Sequence, residues 1–187
     1  MVLRSLFGGG SKQPQQPEAQ QPSQAKAETE SIRRIAGELE ALPIDERRYI
    51  AGYAYVLARA AHADLEVSQV ELEYMEKAVI EVGGMSEAQA VLVVEMARNM
   101  AELYGATDDF VVTRAFAQDS TVEQRESLLR TAFAVGAADD SITAAESAEL
   151  NQIGKELGFR ASEVDDIRVE FRDKLAAIQA MRAARGA

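Results

Sequence analysis

Two acidic corners, 75 residues apart, carry the side chains of this chain that are best placed to do chemistry. Residues 60–71 read A-A-H-A-D-L-E-V-S-Q-V-E, and residues 135–146 read V-G-A-A-D-D-S-I-T-A-A-E. Asp64 matches Asp139, Ser68 matches Thr143 and Glu71 matches Glu146, all at one constant offset. Each aspartate falls at the C-terminal end of a helical pattern, where the helix dipole is already negative and a carboxylate is unfavourable. With the free carbonyls ending that helix, and with Glu66 in one corner and Asp140 in the other, the corners offer a supply of hard oxygens. Calcium or magnesium would suit such a set. The candidate metal ligands are therefore Asp64, Glu66, Glu71, Asp139, Asp140 and Glu146. A second reading needs no ion. Ser68 with Glu71, and Thr143 with Glu146, fit capping boxes, in which hydroxyl and carboxylate satisfy each other's backbone N–H. Asp64 and Asp139 would then receive neighbouring backbone N–H groups. The EF-hand pattern is excluded, because Met75 and Leu150 stand where its bidentate glutamate belongs, and Gln69 and Ala144 replace its glycine.

Other chemistry has little to work with. The chain has no cysteine and a single histidine, His62, so thiol nucleophiles, disulfides and His-rich metal centres lack their groups. Tyr49, Tyr53 and Tyr104 could take part in acid–base work, yet no nucleophile, base and orienting group share a recognisable spacing. No catalysis is expected, and no cofactor beyond the divalent cation.

The elements that must hold these corners are helical throughout. From residue 29 onward no strand alternation runs far, and no proline follows Pro43. The start and stop signals predict helix 1 over residues 30–42, helix 2 from an Asp45 cap to 63, and helix 3 over 68–82 before Gly83-Gly84. Helix 4 follows over 86–104 with a Ser86/Gln89 box, and helix 5 over 108–118. Helix 6 begins at Ser120 or Thr121, with Glu123 and Gln124 as box partners, and ends at 138. Helix 7 spans 143–157 before Gly158, and helix 8 runs unbroken from a Ser162 cap to 185. Helix 2 (Y-I-A-G-Y-A-Y-V-L-A-R-A-A) is apolar nearly all round, so it belongs in the core. Tyr49 and Tyr53 read as part of its buried stripe. Gly52 and Gly136 lie inside helices 2 and 6, where close backbone packing is the expected compensation for their low helix propensity. Helix 8 reads as a solvated face with i,i+4 ion pairs. The fold class is all-α: a compact bundle of about eight helices built from two related three-helix units, with the internal repeat at 45–104 and 120–185.

Residues 1–28 differ in kind. Three glycines, six glutamines and three of the four prolines make residues 8–28 a disordered tether, ahead of the apolar tip M-V-L-R-S-L-F. The tip reads either as a frayed terminus or as a docking element for a partner or a membrane surface. It is too short for a signal peptide, and no run approaches a membrane span. A cytoplasmic location is expected. Residues 1–30 are charge-neutral, so the net charge of −11 falls wholly on the helical part. That excludes nucleic acid, whose phosphates need a basic face, and favours a basic or membrane-associated protein partner.

The corner motif A-D-x-x-[VI]-[ST]-x-x-E, present twice in an all-helical chain, resembles the tellurite-resistance protein B (TerB) family, whose domain also precedes the J-domain of some membrane co-chaperones. The resemblance covers about residues 45–172, with the second copy the nearer match. It implies a bundle of seven or eight helices, a link to stress or tellurite resistance through protein partners, and acidic residues proposed to chelate metal, here Asp64, Glu71, Asp139 and Glu146. Where family members commonly carry glycine after the aspartate, this chain has Leu65 and Asp140. It has no His-Pro-Asp tripeptide, so it cannot itself drive an Hsp70 partner. The expected function is a non-enzymatic stress-related adaptor able to bind a divalent cation. The alternatives are a peripheral membrane or scaffold protein using its N-terminal tip, and an uncharacterised enzyme.

Overall fold

A computed structural model describes residues 22–61, 69–103 and 109–186. Within them lie nine α-helices: α1 (Pro22–Glu40), α2 (Ile44–Ala61), α3 (Gln69–Glu81), α4 (Glu87–Leu103), α5 (Asp109–Asp119), α6 (Val122–Gly136), α7 (Ala144–Glu156), α8 (Ala161–Glu170) and α9 (Ala176–Gly186). A 3-10 turn, Arg172–Lys174, separates the last two. The helix boundaries follow local chemistry. Ser86 and Gln89 exchange hydrogen bonds at the start of α4, and Thr121 and Gln124 do the same at α6. After α3 and α7 the chain turns through Gly84 and Gly158, both at positive φ, a conformation that costs glycine nothing.

α2 is the axis of the molecule. It packs on α4, α5, α6 and α7, and Ile50, Tyr53, Ala54, Val56 and Leu57 are fully buried along it. Tyr53 crosses to α6, where its hydroxyl donates to Thr131 Oγ1 at 2.7 Å. Phe133, Leu128 and Leu129 of α6 complete the centre. α2–α3–α4 and α6–α7–α8 follow one another in the same order, and α3 and α7 both begin one residue after a hydroxyl residue of the paired corners.

Three expectations about the last helical segment need correction, and the start of α1 is placed at Pro22, within the last residues of the stretch read as tether. Proline fits a first helical turn, and S-Q-A-K-A-E continues it with mostly good helix formers. Residues 1–21 lie outside the described residues. The long helix 8 is broken between Glu170 and Ala176, although R-D-K-L contains no proline or glycine. Tertiary pairing overrides propensity there: Ile142 N–H donates to Lys174 O (2.7 Å) and Ala176 N–H to Ile142 O (3.0 Å). Ser162 is not the cap of α8. Arg160 occupies that place, its N–H donating to Glu163 Oε2 at 2.7 Å. The ion pairs of this region are also not i,i+4. Arg168 meets Asp165 three residues away, while Glu170 and Asp173 pair with Arg130 and Arg182.

The two helical glycines separate. A Cβ on Gly52 would lie 2.5 Å from the Phe116 ring, which is itself stacked on Tyr49 with centroids 5.6 Å apart. At Gly136 the nearest atom would be Leu150 Cδ1, at an ordinary 3.5 Å. Gly52→Ala is therefore expected to destabilise the fold by about 1–3 kcal/mol through overpacking. Gly136→Ala should stabilise it by up to about 1 kcal/mol through helix propensity. Urea midpoints of the two variants check this, and equal shifts of one sign would contradict it.

Candidate functional site

The second corner is fully described. α6 ends at Gly136, and Ala137 N–H returns to Phe133 O (3.1 Å). Asp139 Oδ1 then accepts from Ser141 N–H at 3.0 Å, a local side-chain turn. Asp140 sits at φ 68°, in the left-handed region that asparagine and aspartate tolerate better than most residues. Its carboxylate is paired with the Lys174 ammonium, and its carbonyl accepts from Gln179 Nε2 at 2.8 Å. Ile142 is 1% exposed and fills the core beneath the corner. Thr143 and Glu146 form the capping box that opens α7: Thr143 N–H donates to Glu146 Oε2 (2.7 Å), and Glu146 N–H donates to Thr143 Oγ1 (3.2 Å).

Each acidic side chain of this corner thus has a protein donor. The hydrogen bond from Lys174, and then its charge, hold the Asp140 carboxyl below its ordinary value; the same hydrogen bond raises Lys174. The ammonium stands where a cation would be expected to neutralise the corner. Asp139, Asp140 and Glu146 lie close together in the chain but turn to three different donors. Among the described residues no three histidine or acidic side chains converge closely enough to hold a metal ion. The donor set of the second corner does not fit a divalent cation as it is arranged. In the first corner, Asp64 and Glu66 lie outside the described residues, as does the side chain of Glu71.

Two features of the structure do not follow the corner motif. The first is a charge cluster around a buried arginine–glutamate pair. Arg59 of α2 (side chain 7% exposed) donates from Nη1 to Glu156 Oε2 and from Nη2 to Glu149 Oε1 on α7, both at 2.6 Å. Its Nη1 also reaches Thr113 Oγ1 on α5 at 2.7 Å, and Gln152 donates to Glu156 Oε1. Burial works against the guanidinium charge, but the hydrogen bonds to Glu156 and Glu149 outweigh it and raise its pKa. The sequence held a signal for this cluster: Arg59 is the one charge within the apolar run 49–61, and a buried charge demands partners. Glu149 and Glu156, seven residues apart, share a helix face.

The second feature is a groove of about 600 Å³ between α2 and α5, open to solvent. Its walls are Tyr49, Gly52, Tyr55, Met100, Val112 and Phe116, and Asp45, Arg48 and Asp119 stand exposed on its rim. Tyr53 lies in the core, as the stripe reading expected; Tyr49 is half-buried and presents a face to the groove. Burial pushes the Tyr49 phenol up to about 12 and raises Tyr53 further, so both stay protonated at neutral pH. Tyr104 lies outside the described residues. Among the described residues no helix is long and apolar enough to cross a membrane.

Against known proteins, the family model described as tellurite resistance protein TerB matches residues 49–169. Comparison with curated proteins and with solved structures finds no match.

Proposed function

Because the chain belongs to the TerB family of tellurite-resistance proteins, we propose that it acts as a non-enzymatic adaptor whose α2–α5 groove receives an apolar, basic-flanked segment of a partner protein. The groove carries this reading. Its aromatic and methionine walls supply rigid and adaptable apolar contact, the composition enriched at the cores of protein interfaces. The exposed Asp45 and Asp119 favour a basic flank, in keeping with the net charge of −11. The groove lies within the matched residues apart from Asp45 and Arg48. In this reading the second corner is a structural joint between α6, α7 and the C-terminal segment. Asp139, Asp140 and Glu146 serve the fold there.

The test compares the full chain with an Asp45→Lys/Asp119→Lys variant and with a Lys155→Glu control on α7. Cells carrying the control should survive tellurite like wild type and yield the same co-purified proteins. The rim variant should lose both survival and at least one specific partner. Equal survival and an unchanged set of partners in the rim variant would end the proposal.

A further inference from the structure

We propose that the apolar tip, residues 1–7, is an internal occupant of the α2–α5 groove and competes with the partner for it. The inference rests on reading that groove as a docking surface. Position, chemistry and reach support the tip as its occupant.

Position follows from α1. Arg34 on α1 bonds Glu95 on α4 (2.5 Å), while Glu38 of α1, Leu42 just after it, and Glu87 and Ala88 of α4 line one cleft farther along. The two helices are therefore antiparallel. Going back from Arg34 to Pro22 covers about 18 Å along α1. Going forward from Glu95 to Met100 covers only about 8 Å along α4. The N-terminus of α1 thus points past the Met100 end of the groove, and residues 8–21 leave from there.

Chemistry agrees. Met1, Val2, Leu3, Leu6 and Phe7 match the apolar walls, and Arg4 is the tip's one charged side chain. With Phe7 entering at the Met100 end, Arg4 falls toward Asp119 and Asp45 at the other. For fourteen residues of glycine- and glutamine-rich composition, the coil dimension expected from chain statistics is roughly 20 Å. That is a distance of the same order as the one to be crossed. Intramolecular tethering raises the effective concentration of a weak seven-residue ligand into the millimolar range, which an untethered peptide would not reach.

Disulfide trapping in the full chain tests this cleanly, because no native cysteine interferes. Ser5→Cys is combined with Ala115→Cys, at an exposed position on the groove, or with Lys155→Cys, exposed on α7 outside it. Under mild oxidation the Ser5/Ala115 pair is expected to close intramolecularly at least ten times faster than the Ser5/Lys155 pair. Serine at Leu3, Leu6 and Phe7 should abolish the difference. Equal closure rates would overturn the proposal. So would a disulfide-linked dimer, which would place a second copy in the groove. Flotation of the chain with anionic lipid vesicles, without trapping, would overturn it in favour of a membrane surface. Loss of the partner effect with trapping intact would refute the adaptor reading alone, and the reverse outcome would refute only the tip.

Discussion

Arg59→Leu is expected to lower the unfolding free energy by about 3–5 kcal/mol, among the largest effects of any single substitution in this chain. The reason is what remains behind. Glu156, with a side chain 4% exposed, would keep Gln152 as a donor but lose the one salt-bridging partner it has among the described residues. A buried carboxylate deprived of its cation costs about that much, because desolvation is no longer offset. Thr113 Oγ1, completely buried, would lose the same donor. The cost lies in the orphaned charge and not in any large net value of the pair. Arg59→Met with Glu156→Leu should therefore recover most of the loss, since apolar replacement of a buried ion pair is often neutral. Urea unfolding of the single and double variants decides the matter. A single-variant loss under 1 kcal/mol would show that water reaches Glu156 and that the cluster is not buried in solution.

The second large effect belongs to Ile142. Its side chain is 1% exposed, and its backbone carries both hydrogen bonds to the segment after α8. Ile142→Ala should cost about 2–5 kcal/mol through lost burial and the cavity left under the corner. The same substitution leaves the backbone pairing chemically possible. α9 should therefore stay docked in the molecules that remain folded, with the amide of Ala176 still slow to exchange with deuterium relative to those of the exposed end of α9. Rapid exchange at Ala176 with little loss of stability would mean that the side chain holds the segment and the bridge does not.

These effects show what could be read from residues and what could not. Helix starts with a Ser/Thr and a Gln/Glu three residues later were legible at Ser86, Thr121 and Thr143, because those contacts are local. The buried character of helix 2 was legible for the same reason: its apolar face repeats within the segment. The break at 171–175 was not. R-D-K-L-A-A favours a helix, and only pairing with Ile142, more than thirty residues earlier, interrupts it. The acidic corner shows both sides. Its capping box could be seen in the spacing, but the competition for its oxygens could not, since Lys174 arrives from a distant part of the chain. Asp140 takes a positive φ, a conformation that glycine adopts without cost and aspartate tolerates better than most residues. Close packing was expected at both Gly52 and Gly136, yet only at the first does a partner ring approach, because periodicity names a face and not its neighbour. The groove between α2 and α5 was hidden for a related reason: its walls come from three separated segments.

The joint between Ile142 and the 174–176 segment is made of main chain alone. Mechanical load applied to α9 therefore reaches the corner through main chain at Ile142, beside the Gln179 side chain that holds the Asp140 carbonyl. Drift at position 175 or 176 would leave the transmission intact, with one exception: proline at 142 or 176, which has no N–H to offer, would sever one strand of the coupling.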